Sequence, residues 1–348
     1  MKTWQKLKDD KALREYYAQR SIIIRAIRDF FWEKSFLEVE TPQLVPLPSM
    51  EPYLEVFETE LIDSDRQTYR GFLTSSPEFA MKKLLASGYD KLFQVCKSYR
   101  NMEGWSSRHN PEFTILEWYR TQADYRVIMQ DCEELFAFIG QRLGRTTIQF
   151  RGRQFDLAQP WERLSIAEAF ETYAGLDTET ILDHEKLLVA AAKKGYIIDE
   201  KTTWDDAFNQ ILLNEIEHHL GEKDRPTILY DYPAEMAALS RKSKRDPRFA
   251  ERFEFYMAGL ELGNAFSELT DPVEQKTRLL ADRAEKERLG RILYDVDMDF
   301  IAALESGIED CAGIAVGVDR VVMAFMDAQT IQETLFFPAV ELWDRKVS

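Results

Sequence analysis

Two stretches of alternating polar and apolar residues constrain the fold of this chain most: Leu92–Asn101 (LFQVCKSYRN) and Pro111–Arg120 (PEFTILEWYR). Alternation of this length predicts strands. The polar segment between them holds Gly104, Trp105, Ser106, Ser107, Arg108 and His109, so the pair reads as an antiparallel hairpin with a long connection. Long connections in compact domains are usually functional or disordered. Side chains alternate along a strand, which places Phe113, Ile115, Glu117 and Tyr119 on one face. An aromatic ring, a carboxylate and a phenol together suit a pocket wall; a half-solvated sheet face is the plainer alternative. Arg100 ends the first strand, where a guanidinium can grip a phosphate through two N–H groups.

A second hairpin is expected in ERFEFYMAGLELGNAFSELTD. With Ala258-Gly259 as the turn, Tyr256 opposes Glu261, and Glu254 lies on the same face as Glu261. Two unpaired carboxylates there repel, and one tends to protonate. A divalent cation removes that cost, and Mg²⁺ is usually held by one or two carboxylates plus substrate phosphates. Two solvent-facing glutamates are the alternative. Asn264 and Glu268 have the opposite parity to Glu261, so a shared pocket requires a register shift, for which Gly263 is a natural bulge. Further on, Ala312–Val316 reads as an apolar strand broken by Gly317. Val318 then opens a helix with Arg320 in its first turn, where backbone amides already favour anions.

The remaining elements are less informative. Residues 5–20 read as a surface helix. Ser21 reads as the N-cap of the next, which carries Ile23, Ala26, Ile27, Phe30 and Phe31 at helical spacing. A strand over 36–41 stops at Pro42, a loop covers 43–52, and strands are expected at 53–62 and 69–74. Ser75 or Ser76 caps a helix with Pro77 in its first turn, and Gly88 ends it. Glu78 sits where a carboxylate suits the helix dipole. A helix over 124–143, a small hairpin turning at Gly152, and further helices after Ser165, at 184–194 and at 204–220 precede a strand at 227–232. The 145–225 region carries no chemical signature. Arg241, Lys242, Lys244 and Arg245 form a basic cluster, read either as a solvated loop or as a contact for an acidic partner.

The net charge of −16 argues mildly against a large polyanion as the main partner. Three cysteines without a CxxC pair suit a reducing cytoplasm. The start MKTWQKLKDD lacks an apolar core, so no signal peptide is expected, and no apolar run approaches the ~18 residues of a membrane span. The chain has no GxxxxGK[ST] and no strand–GxGxxG–helix unit.

The segment RN…RHNPEFTILEWY resembles motif 2 of class II aminoacyl-tRNA synthetases of the lysyl type. The helix–strand–Pro unit ending in FLEVETP is similar to motif 1, which in that family builds a homodimer interface. PEFAMKKLL and NAFSELTD are similar to its amino-acid-binding segments, and GIAVGVDR to motif 3. Together and in this order the set is specific. The nearest resemblance is to the elongation factor P (R)-β-lysine ligase family, a branch of lysyl-tRNA synthetase paralogues. It covers about 20–125 and 225–335 and implies an α+β class II catalytic core. That core is an antiparallel sheet flanked by helices, one domain over 1–348, with an insertion at about 145–225 and no N-terminal anticodon-binding barrel.

The resemblance implies ATP and Mg²⁺ as cofactors. Arg100 and Arg320 would be the catalytic phosphate clamps. His109, Asn110, Phe113, Glu261 and Gly317 would join them around ATP, with Phe113 under adenine. Glu103 or Met102 would take the adenine-contacting position. Glu254 and Glu261 would hold the metal. Glu117, Tyr119 and Glu268 would meet the side-chain amine of a lysine substrate, Glu78 the backbone-side amine, and Asn264 and Ala315 would complete the pocket. Ala315 stands where lysyl-tRNA synthetases typically have Gly, and the ligase family resembles this chain in having Ala there. The implied reaction forms an aminoacyl-adenylate and passes lysine or (R)-β-lysine to a lysine of elongation factor P. The rivals are a truncated synthetase acting on tRNA, which the acidic balance disfavours, and a non-catalytic regulatory paralogue, disfavoured because Arg100, Glu254, Glu261 and Arg320 are all present.

Overall fold

A computed structural model describes residues 2–103 and 106–343; Gly104 and Trp105 of the expected loop lie outside the described residues. Its main sheet has eight strands: β1 (Leu37–Glu38), β2 (Lys91–Tyr99), β3 (Glu112–Thr121), β4 (Glu162–Ser165), β5 (Thr227–Pro233), β6 (Phe249–Met257), β7 (Leu260–Ser267) and β8 (Cys311–Gly317). Their order is β1-β2-β3-β8-β7-β6-β5-β4. The six inner strands are antiparallel, as expected, while β1 on β2 and β4 on β5 are parallel edge pairs.

One face of this sheet is the main core. Phe93, Leu116, Trp118, Phe255, Ile314 and Val316 are buried there. Three helices cover it: α1 (Lys11–Glu33), α2 (Tyr125–Arg142) and α3 (Val318–Met326). Helix α1 corrects the expectation for Ser21. The Asp10 carboxylate accepts from the Leu13 amide and caps a single 23-residue helix that runs through Ser21. Tyr17, Ile23, Ile27, Phe30 and Phe31 continue one buried stripe, so packing carries the helix past a residue with cap-like chemistry.

The expected boundaries shift elsewhere too. The strand read at 36–41 is confined to Leu37–Glu38. The loop read at 43–52 contains a short strand, Leu44–Val45, which joins a three-stranded sheet with Phe57–Ile62 and Thr68–Leu73. The 145–225 region is divided. Ile148, Phe150 and Phe155 of its hairpin pack into the main core, and β4 joins the sheet edge. Residues 166–220 form a second core around Phe170, Trp204, Phe208 and Ile216.

The register of β6 and β7 shifts between Phe255 and Tyr256: Tyr256 pairs with Glu261 but Phe255 with Gly263. Leu262 is therefore the extra residue of a bulge, as parity demanded. A Cβ on Gly263 would stand 2.6 Å from the Phe255 ring, closer than packed atoms allow, so the bulge is tight as well as necessary. Downstream of it, Asn264 lies opposite Glu254. Glu254, Glu261, Asn264 and Glu268 then share the face opposite the core.

Candidate active site

The second face of the sheet gathers the polar residues in rows. Glu117, Ala315, Asn264 and Glu254 are successive partners across β3, β8, β7 and β6. The adjacent row is Tyr119, Gly313, Phe266 and Arg252. Helix α1 reaches this machinery from behind: Arg20 pairs with Asp319 at 2.6 Å and donates to Thr114 Oγ1, while the Thr114 amide donates to Asp319. This clamp fixes the first turn of α3, and Arg320 with it.

The amino-acid end is densely charged. Glu117 is fully buried and accepts from Ser76 Oγ at 2.6 Å and Tyr119 Oη at 2.8 Å. Burial, reinforced by Glu78, pushes its carboxyl up to about 8. Burial and Glu117 raise the Tyr119 phenol well above its ordinary value. Glu268 is raised by burial, with Lys82 opposing and Glu78 reinforcing.

Lys82 escaped the sequence reading. Its ammonium, almost wholly buried, lies 2.5 Å from Glu78 and 2.6 Å from Glu268. Burial works against its charge, but Glu268 and Glu78 outweigh it and hold the group above its usual range. Part of the negative charge assigned to a substrate is thus already matched by the protein. The spacing of Glu78 and Lys82, four residues apart on the helix Glu78–Ala86, is visible in sequence. The contact with Glu268 is not. Glu51 was also missed: it comes from the strap over 47–52, where burial raises its carboxyl, Arg100 lowers it and Glu78 raises it again. Gly313 is a third. A Cβ there would lie 2.1 Å from Tyr119 Cδ1, so only glycine lets the phenol lie across β8.

At the phosphate end, the Arg100 guanidinium lies 5.1 Å from the Phe113 ring centre and 3.5 Å from Glu103. Its Nε is buried without a partner among the described residues. A buried unpaired donor is costly, and phosphate oxygens would satisfy it. Met102 is exposed, with Arg291 near its sulfur at 3.8 Å. Arg320 donates to the Glu261 carbonyl at 2.8 Å and contacts its carboxylate at 3.4 Å. It also contacts His109 Nε2 at 3.1 Å. Burial and Arg320 lower the His109 pKa, so the imidazole is neutral, accepts from Arg320 and donates from Nδ1 to Ser106 Oγ, 2.9 Å away. Gly317 is the N-cap of α3.

Asn110 stands apart from this group. Its Nδ2 donates to the Glu112 carbonyl at 2.6 Å and its Oδ1 accepts from the Ala339 amide at 3.0 Å. Expected among the ATP ligands, its side chain ties the start of β3 to the C-terminal segment.

The carboxylate pair fits a divalent cation held jointly with phosphates. Burial and Glu254 raise the Glu261 carboxyl, the penalty a cation would relieve. Glu254 is already oriented by Arg252 at 2.6 Å and Tyr256 Oη at 2.5 Å. Among the described residues no group of three His, Cys, Asp or Glu side chains could hold a metal. Arg252, also unforeseen, donates from Nε to Asn264 Oδ1 at 3.2 Å and so fixes which way that amide is turned. The basic cluster is partly neutralised: Arg241 pairs with Glu251 and Asp310, and Lys244 with Asp310.

The sequence has counterparts among known proteins. The profile of the tRNA synthetases class II (D, K and N) matches residues 2–341, and the chain belongs to that family. Within it, the chain is 38% identical over 319 residues to an elongation factor P–(R)-beta-lysine ligase of Mannheimia succiniciproducens, covering 91% of this chain and 93% of that one. A protein of the same name from Avibacterium paragallinarum is 38% identical over 321 residues. The lysine–tRNA ligase of Moorella thermoacetica is 36% identical over 332 residues, which span 94% of this chain but 66% of that enzyme. Among the described residues no helix is long and apolar enough to cross a membrane.

Glu117→Gln is expected to raise stability at pH 8. A carboxyl raised from its usual value to about 8 holds its proton in the native state where the unfolded chain has lost it. Its stabilising contribution is full below the unfolded pKa and is lost as pH rises through the folded one. Urea denaturation should therefore show wild type losing on the order of a few kcal/mol relative to the variant between pH 5 and pH 8. Parallel curves would show that Glu117 ionises normally.

Proposed function

We propose that this protein activates lysine or (R)-β-lysine with ATP and transfers the activated acyl group to a lysine side chain of elongation factor P. The observation that carries this reading is the cluster in which Glu78, Glu117 and Glu268 meet beside Tyr119 and Lys82, on the sheet face whose Glu261 is reached by Arg320. Buried carboxylates need cationic partners, and a diamino acid supplies two. The names of the relatives that match over nearly their whole length point the same way.

In the first step a substrate carboxylate oxygen forms a bond to the α-phosphorus of ATP, and the bond to the bridging oxygen breaks, releasing pyrophosphate. Arg100 would hold the α-phosphate and Arg320 the γ-phosphate, with neutral His109 keeping the Arg320 fork in place. Glu261 and Glu254 would hold Mg²⁺, which supplies charge neutralisation at the phosphates. Positioning and electrostatics suffice, so no side chain need act as a base. In the second step the acceptor ε-amine attacks the acyl carbonyl, AMP leaves, and the amine proton passes to solvent. Phe113 would stack under adenine; Glu103, close to Arg100, suits the adenine contact better than exposed Met102. The exposed apolar side chains of Ile22, Trp32 and Leu37 on α1 and β1 support a homodimer.

A lysine–tRNA ligase reading has its own support, since such enzymes match at similar identity. The neutralisation of Arg241 and Lys244 counts against it, because a tRNA needs a basic footprint. Purified protein with ATP, Mg²⁺ and labelled α- or β-lysine, offered elongation factor P and lysine tRNA together, separates the two. Label on the protein factor is the expected result, and the preferred isomer names the substrate. Label on tRNA alone would replace this reading with the second.

A further inference from the structure

We propose that Lys82 is a positioning residue that sets how many amines the pocket accepts. Three carboxyl groups, Glu78, Glu117 and Glu268, face one resident ammonium; Glu117 holds its proton in the empty pocket and gives it up to an incoming diammonium substrate, so that two negative charges then match its two ammonium groups. This rests on the amino-acid activation proposed above and adds what selects a diamino acid from within the protein.

The geometry carries it. Lys82 sits on the helix Glu78–Ala86 with its ammonium against Glu78 Oε1 and Glu268 Oε2. It lies 5.9 Å from the ring centres of both Tyr119 and Phe300. The side chain is buried among these rings and carboxylates. Glu268 Oε1 is buried with no partner among the described residues, so one oxygen of that carboxylate is taken by Lys82 and the other is open. Glu117 has both oxygens held by hydroxyls, which donate without supplying positive charge. The resident cation thus pulls Glu78 and Glu268 together and leaves Glu117 and the open Glu268 oxygen for substrate. Without it, neighbouring carboxylates would repel and one would take up a proton, and a protonated Glu268 is a poor partner for an ammonium. The groups facing Glu268 are Glu78 and Lys82 from the helix, Glu117 and Tyr119 from β3 and Cys311 from β8; Arg241, near Cys311, is engaged by Glu251 and Asp310.

The alternative is that Lys82 merely occupies the place of an absent substrate amine and withdraws when substrate arrives. The two differ in sign. ATP–pyrophosphate exchange would be followed from pH 6 to 9 for wild type and Lys82→Met, with lysine and with 2-aminohexanoic acid, which lacks the distal amine. A positioning role predicts a KM for lysine raised roughly 30-fold or more at pH 7, as for other buried charge pairs cut on one side. It also predicts that the loss shrinks as pH rises and Glu268 ionises, and that the preference over 2-aminohexanoic acid falls. A lower KM would establish the placeholder and overturn the proposal, and so would an equal loss at every pH. Should Lys82→Met not fold, Lys82→Met/Glu268→Gln removes the buried pair as a unit, which proteins often tolerate. That variant should lose the preference for lysine, and retention would overturn the assignment. If wild type exchanges pyrophosphate with no diamino acid, the proposed function itself fails, and this assignment with it.

Discussion

Arg320→Ala is expected to cut ATP-dependent activation on the order of 10²–10³-fold, the range for removing one preorganised donor from developing negative charge. The effect should be this large because the arginine is locked before substrate arrives. Its residue neighbour Asp319 is pinned by Arg20 and Thr114, and its own fork is held by the Glu261 carbonyl and His109. Side-chain ordering is therefore complete in the free protein and costs nothing during the reaction. Arg320→Lys keeps the charge but not the planar fork and should recover only part of the loss. Steady-state pyrophosphate exchange with separate kcat and KM for ATP decides the matter. A loss confined to KM would mean that Arg320 binds ATP uniformly without favouring the transition state. An undiminished rate would remove it from the phosphate site.

Gly313→Ala should disable the opposite end. The added methyl would meet Tyr119 Cδ1 at 2.1 Å and Cε1 at 2.3 Å. The phenol is fully enclosed and cannot swing into solvent, because its hydroxyl is committed to Glu117 at 2.8 Å. Overpacking of this kind costs about 1–3 kcal/mol of stability. The functional cost should be larger: once Tyr119 moves, Glu117 loses a donor and the pocket its shape. We expect the lysine KM to rise at least tenfold, in proportion to ~1.4 kcal/mol or more of lost binding, with the ATP KM little changed. A paired Gly313→Ala/Tyr119→Phe protein, relieved of the hydroxyl but not the ring, should remain impaired. Full activity in the single variant would show that the ring is not fixed over β8.

What could be read from the chain alone follows from how local each constraint is. Strand alternation is local, so Glu117 and Tyr119 fall on one face, and the need for a register shift follows from parity, although its extra residue is Leu262 and not the neighbouring Gly263. The break at Gly317 and Arg320 one turn on were equally local. Ser21 misled because cap chemistry is necessary for a helix start but not sufficient: the buried stripe through Tyr17 and Ile23 outweighs it. Lys82 and Glu51 were invisible because their meaning lies in partners far along the chain, Glu268 for one and Arg100 for the other. The bond between Asn110 and the Ala339 amide was equally out of reach, because Ala339 comes from the other end of the protein.

The bulge at Leu262 has a consequence for how this sheet can change over time. It places Glu261 and the Asn264–Glu268 run on one face although their separation along the strand is odd. Deleting a single residue there would not shorten the site; it would invert one half of it, sending either the phosphate-side glutamate or the amine-side pair into the aromatic core. Insertions elsewhere on this hairpin, at the Ala258-Gly259 tip, leave that arithmetic untouched. Lineages descended from such a chain should therefore keep the residue count between Glu261 and Asn264 invariant, even where the side chain at 262 drifts among apolar types.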